Sequence, residues 1–269
     1  VADYAEPAQT SPENGLTIEG ADKRIHTLSR TNEPKLFISE GELLVIEPVT
    51  GSIVLTAENF NPSIFSQLWF VQEGLFAAGD FQGPSMSTPD LAQHVIGRIR
   101  VLVIPPKLDM SFPPDDSSSG QKACETVRKV SELLPHTPFQ ALGLNCIYSV
   151  RFESVADVPG ITGRLFFPSD SPLRSEFASG DSRFGGYFSK DIFGARLRLD
   201  IKPGRQDGES SDKQLLTVNF NLHTGLQLPD KVKRLQAISE RLEHWSAYHA
   251  KCLAIVETIS KAVDEGRAQ

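Results

Sequence analysis

The stretch FQALGLNCIYSVRF, from Phe139 to Phe152, alternates without a break. Leu142, Leu144, Cys146, Tyr148, Val150 and Phe152 fall on one side, and Ala141, Gly143, Asn145, Ile147, Ser149 and Arg151 on the other. A period of two is that of a β-strand, and an apolar set on one side means that this side faces a core. A strand this long is not stable alone. The chain must supply neighbours with apolar residues on the same side, and further elements to cover them. The expected fold class is therefore α+β, with antiparallel sheets and packed helices.

Two octets extend the same logic. RIRVLVIP runs from Arg98 to Pro105 and RLRLDIKP from Arg196 to Pro203. Ile99, Val101 and Val103 lie on one face of the first, and Leu197, Leu199 and Ile201 on one face of the second. Arg98, Arg100, Arg196 and Arg198 point the other way. Each octet follows a glycine, Gly97 or Gly194, and each is followed by loop, helix and chain reversal. This recurrence predicts two related sheet-plus-helix halves. Residues 35–138 form the first and residues 139–269 the second. The polar residues 1–34 form a flexible N-terminal arm.

The remaining elements follow from shorter signals. LFISEGELLVIEP and GSIVLTAE read as a strand pair turning at Pro48 to Gly51. In NPSIFSQLWFVQEG, Asn61 and Pro62 open a helix that Gly74 ends. Ser87 to Asp90 opens one helical turn. PPKLDMSFPPDDSSSG reads as a loop on the rim. Ser118 and Gln121 form a capping box for a helix over residues 119–134, with Cys124, Val127, Val130 or Ser131, and Leu134 inward. Residues 153–190 are loop-like but rich in phenylalanine, and are either a functional loop or a segment that contains strands; PGRQDGESSDK reads as a hairpin loop and QLLTVNFNLHTG as its returning strand. One long helix, residues 230–264, closes the chain. Its seam is Leu235, Ile238, Leu242, Trp245, His249, Cys252, Val256, Ile259 and Val263.

From about Ile96 to Val263 this layout resembles a sporadically distributed group of bacterial proteins without assigned activity. The residues that carry the resemblance are TPFQALGLN after a helix and EHWSAYHAKC in the closing helix. It implies no reaction, cofactor or catalytic residue.

The chain has 269 residues and a net charge of -7. An acidic chain repels phosphate backbones at long range, which disfavours nucleic acid as a partner. Three cysteines without a C-x-x-C pair, Cys124, Cys146 and Cys252, read as buried free thiols of a reducing compartment. The N-terminal residues lack a secretory pattern and no apolar run is long enough to span a bilayer, so a cytoplasmic location off the membrane is expected.

No nucleophile elbow, phosphate-binding loop, dinucleotide glycine pattern or zincin helix is present. Gly180-Asp181-Ser182 lacks the Asp-x-x-His element that an esterase of that type needs. Asp115 and Asp116 are adjacent in a loop and are expected to face water. His244 and Tyr248 sit one turn apart on an exposed helix face, while His249 is a core residue. These readings call for no catalytic residue, no cofactor and no metal ligand.

The arginines are the remaining candidates. If the two octet strands approach each other, Arg98, Arg100, Arg196 and Arg198 share one face and could fork onto carboxylates or phosphates. The expected function is that of a non-catalytic binding or assembly protein, with a protein partner or self-association. The alternative is a sensor or enzyme that binds a small nucleotide-like anion over the arginines.

Overall fold

The computed structural model describes residues 44–152, 158–179, 182–205 and 214–267. In chain order the elements are β1 (Leu44–Ala57), a 3-10 turn at Pro62–Ile64, α1 (Gln67–Gln72), β2 (Met86–Ser87), β3 (Ala92–Ile96), β4 (Ile99–Ile104), β5 (Lys107–Phe112) and α2 (Ser117–Leu133). They continue with β6 (Phe139–Phe152), α3 (Val158–Phe166), β7 (Gly186–Ile192), β8 (Ala195–Arg205), β9 (Gln214–Gly225), α4 (Lys231–Glu243) and α5 (Trp245–Arg267). The arm at 1–34, the segment 35–43 and residues 206–213 of the expected hairpin loop lie outside the described residues.

The nine strands form one antiparallel sheet in the order β2-β3-β4-β5-β1-β6-β9-β8-β7. β1 and β6 are its two long central strands, and each is 14 residues long. On one side of their junction the order is β1-β5-β4-β3-β2, and on the other it is β6-β9-β8-β7. In chain order each set is a long strand, a helical insertion, a three-strand meander and a helix, with the two-residue β2 added before the meander in the first set alone. The two octets thus become β4 and β8, the third strand out on either side.

One face of the sheet carries the core. Leu142, Leu144, Cys146, Tyr148, Val150 and Phe152 are all buried, as their alternation requires. Register carries the pattern across the sheet: Val101, Met110, Ile53, Leu144, Leu222 and Leu197 are successive cross-strand partners and all are buried. Helices α2 and α5 pack on this face, and α4 packs against them. The octet residues Ile99, Val101, Val103, Leu197, Leu199 and Ile201 are buried there too.

Several local expectations give way to the register. Pro48 to Gly51 is no turn, because β1 runs straight through it with a bulge between Pro48 and Thr50. β5 pairs with β1 only from Gly51 onward. Pro48 therefore has β6 as its sole described neighbour, and its missing N–H breaks no second ladder. KLDMSF is a strand rather than a rim loop, with Leu108, Met110 and Phe112 buried; its flanking prolines end β5 instead of preventing it. AQHVI is likewise strand β3, where a helical turn was expected. The phenylalanine-rich segment contains α3 and β7. Asn61 caps the 3-10 turn, and Ser66 caps α1 separately.

The closing helix breaks at His244, which is the C-cap of α4. The break changes the phase of the buried stripe: Tyr248 is fully buried, and His249 is only half-buried. His249 stacks on Trp245 at 6.0 Å and 16°. Burying the larger ring removes more apolar area from water and leaves the imidazole partly hydrated. His244 is not on an open face with Tyr248; it stacks on Phe193 at 5.0 Å and 17°.

That contact holds the β7–β8 hairpin. Phe193 and Gly194 both have positive φ, 50° and 69°, which is the two-residue turn that matches strand twist. Glycine adopts this freely, whereas a bulky side chain such as Phe193 is strained there. Arg241, itself buried, donates to the carbonyls of Phe193 and Gly194, so the end of α4 clamps the turn.

A second tight point lies between α2 and α5. Trp245 meets Phe112 edge-on at 5.3 Å, and it is seated against Gly120 of α2. A β-carbon at Gly120 would lie 2.5 Å from Trp245 Nε1. Alanine in place of glycine adds up to ~1 kcal/mol of helix propensity. Overpacking costs ~1–3 kcal/mol, and here the neighbour is a packed indole. The steric cost wins, so Gly120→Ala should lower the unfolding free energy by about 1–2 kcal/mol. Urea denaturation would measure it; a more stable variant would show that Trp245 has room to move.

Candidate functional site

Among the described residues, no helix covers the opposite face of the sheet. One cross-strand row on it runs Arg100, Ser111, Ser52, Asn145, Asn221, Arg198 and then Ser189 at the edge. The inner members are half-buried between their neighbours and the two arginines are exposed. Asn221 Nδ2 donates to Asn145 Oδ1 at 2.6 Å, and Asn145 Nδ2 donates to Ser52 Oγ at 3.1 Å. Close packing of the adjacent backbone keeps this chain in place, because a β-carbon at Gly143 would lie 3.2 Å from Asn221 Nδ2.

The row is balanced about the β1–β6 junction. Arg100, Ser111 and Ser52 on one side stand opposite Arg198, Asn221 and Asn145 on the other. The arginines aligned by the octets, Arg100 with Arg198, therefore occupy matching positions in the sheet.

The four arginines do not converge. β4 and β8 are five strand spacings apart, which separates Arg100 from Arg198 by ~24 Å. The sequence alone could not show that β5, β1, β6 and β9 come between them. Arg98 lies in the β3–β4 turn rather than in a strand, and pairs with Asp116 at 3.2 Å. Arg196 is on the open face but pairs with Asp191 of β7 at 3.1 Å. Lys107 pairs with Asp109 at 2.9 Å, Lys202 with Asp200 at 2.6 Å, and Arg151 with Glu47. Arg100 and Arg198 form no ion pair among the described residues.

The carboxylate pair is also resolved. Asp116, not Ser118, caps α2: it accepts from Ser119 N at 3.1 Å and from the hydroxyls of Ser118 and Ser119 at 2.6 and 2.8 Å. Partial burial pushes its carboxyl up, but these bonds and the Arg98 charge outweigh that and hold it down at about 2. Asp116 is thus a structural anion at a helix N-terminus, where the macrodipole also favours it.

Sequence reading passed over His223. It sits on β9 one row along from Asn221, opposite Arg196. Burial first, and the Arg198 charge second, lower its pKa from 6.5. The same positions on β6 and β9 also held Asn145 and Asn221 in plain view. Their signal was an amide in the middle of a strand, where asparagine is depleted.

The described residues include no group of three or more His, Cys, Asp or Glu side chains placed to hold a metal ion. No described helix is long and apolar enough to cross a membrane. Cys124, Cys146 and Cys252 are buried free thiols. The class defined so far is an α+β protein with a nine-stranded antiparallel sheet, helices on one face and a polar row across the other. No protein-family model matches the chain, and a search of curated proteins finds none similar to it.

The electrostatics of the row can be read directly. Removing the guanidinium in Arg198→Ala should raise the His223 titration midpoint toward 6.5, as followed by NMR of its ring protons. A depressed folded pKa means that the unfolded chain takes up its proton first. The associated stability is present at neutral pH and fades as pH falls below 6.5. An unchanged midpoint would show that Arg198 points away from this imidazole.

Proposed function

We propose that this chain is a non-catalytic binding protein whose protein partner lies across the open face of the sheet, with Arg100 and Arg198 as the two anchors. One observation carries the reading: on a chain of net charge -7, these two exposed guanidiniums have no counter-ion among the described residues while their charged neighbours on the same face are paired. An unpaired guanidinium is a ready donor for a carboxylate, and bidentate pairing adds direction as well as attraction.

The residues between the anchors support a broad contact. Asn145 and Asn221 stand on central strands, where β-branched residues fit better. Sites that break a local rule are where function is sought. Their amides, with the hydroxyls of Ser52 and Ser111, offer donors and acceptors to a surface laid flat on the sheet. The matching strand order and matching arginines support a chain built as two copies of one sheet-plus-helix plan, which presents one anchor from each copy.

A single small anion does not fit this arrangement, because ~24 Å separates the anchors. The partner needs acidic groups spaced on that scale. Fluorescence anisotropy with a labelled poly-glutamate peptide, a single-stranded oligonucleotide and ATP would test this. We expect the peptide to bind, and the double variant Arg100→Ala, Arg198→Ala to weaken it about tenfold or more. Tighter binding of the oligonucleotide, with steep salt dependence, would replace the protein partner by nucleic acid. ATP binding that survives the double variant, or no binding by any probe, would overturn the reading.

A further inference from the structure

The two edges of the sheet differ. At one end β2 has only two residues and lies between Pro84 and Pro89, so it offers almost no ladder to a newcomer. At the other end β7 has seven residues, GYFSKDI, without a proline. Its residues Tyr187 to Asp191 are all exposed, whichever face they point to. Tyr187 is 63% exposed and Phe188 49%. A long open edge with two exposed aromatics is an aggregation hazard unless a partner takes it.

The hairpin geometry says which backbone groups are free. The two-residue turn Phe193-Gly194 is closed by the pair Ile192 and Ala195. In such a hairpin the closing pair exchanges backbone hydrogen bonds and every second pair does so from there. Ile192, Lys190, Phe188 and Gly186 therefore bond inward to β8. The N–H and C=O groups of Tyr187, Ser189 and Asp191 point outward, and none of them has a backbone partner among the described residues.

We propose that β7 pairs with β7 of a second copy of this chain, antiparallel, about a twofold axis through Ser189. Ser189 then faces its own equivalent, and Tyr187 faces the partner's Asp191. All of these carry the outward backbone groups, so each pair exchanges both of its hydrogen bonds. On the other side of the strand, Phe188 stands beside the partner's Lys190, within reach for an ammonium–aromatic contact. No like charges stand opposite. Moving the axis to Lys190 would set two lysines face to face, and moving it to Phe188 would shorten the ladder.

The pairing keeps both open faces on one side, because directly paired residues share a face. Ser189 is in the same row as Arg198. The polar row of one copy thus continues into the other, and the two Arg198 side chains stand three strand spacings apart, ~14 Å. The dimer does not depend on the proposed partner: the double arginine variant should still dimerise, so the two ideas fail separately.

Sedimentation of the full chain at ~1 mM, about ten times the ~100 μM Kd of a weak contact, should give a weight-average mass approaching twice the 29.5 kDa chain mass. Ser189→Pro removes an outward N–H and leaves the inward bonds to β8 intact, so it should sediment as a monomer with an unchanged circular dichroism spectrum. Phe188→Lys should also be monomeric, since it sets a lysine beside the partner's Lys190. Mixing it with Lys190→Glu should restore a dimer of the two variants, which fixes the register. A monomeric wild type, or a dimer that persists in Ser189→Pro, overturns the proposal.

Discussion

The pairing of β1 with β6 joins a five-strand ladder and a four-strand ladder into one sheet, and the rest of the structure takes its bearings from it. Register runs through this pair for almost its whole length, with Ser52 against Asn145 and Ile53 against Leu144. A slip of one residue would turn Ile53 and Leu55 out and bring Ser52 and Val54 in. The ladders beyond would no longer present one apolar face. Trp245, Gly120, Gly51 and Phe112 meet beside this junction, so the helix layer is locked at the same place as the sheet.

What could be read in the sequence follows from where side-chain period alone decides the outcome. β6 and β9 keep the bounds and faces that their alternation implied, because each carries a full-length apolar set. β5 and the Pro48 region were misread for one reason: prolines beside a strand look like loop unless the neighbours are known. β5 tolerates them at its ends and β1 on a stretch without a second partner. The seam of the closing helix went wrong by one residue, at His249 and Tyr248. A break at His244 re-phases the helix, and no residue there is a strong breaker. Face assignments for Arg100, Arg196 and Arg198 were legible; the distance between β4 and β8 was not, since it depends on strand order. The four arginines could be seen as a set, but not that Asp116 and Asp191 neutralise two of them.

The open face shows how an acidic chain can hold local positive ends. Most of its charges are matched by a neighbour on the next strand or two residues along: Lys107 with Asp109, Lys202 with Asp200, Arg196 with Asp191. Such exposed pairs contribute little to stability, each under about 1 kcal/mol, but they cancel the field locally. Arg100 and Arg198 are left as the sources of positive potential at the two ends of a neutral amide and hydroxyl row. His223, one row along, has its pKa lowered by burial first and by the Arg198 charge second, so it adds no charge beside the row at neutral pH.

The same contrast governs the edges of the sheet. Short β2 between prolines is a terminated ladder, and nothing about it invites a further strand. β7 is held firmly from behind: Arg241 and His244 clamp its turn, at the cost of a strained Phe193. The clamp keeps Ile192 packed against the core at the turn end of the strand. Rigidity at β7 has a physical use if its outward groups must keep register with another strand. Ordering that strand beforehand lowers the entropy lost on pairing. The strain at Phe193 is then a local cost of pre-organisation, offset by the two carbonyl bonds from Arg241 and the ring stacked on it.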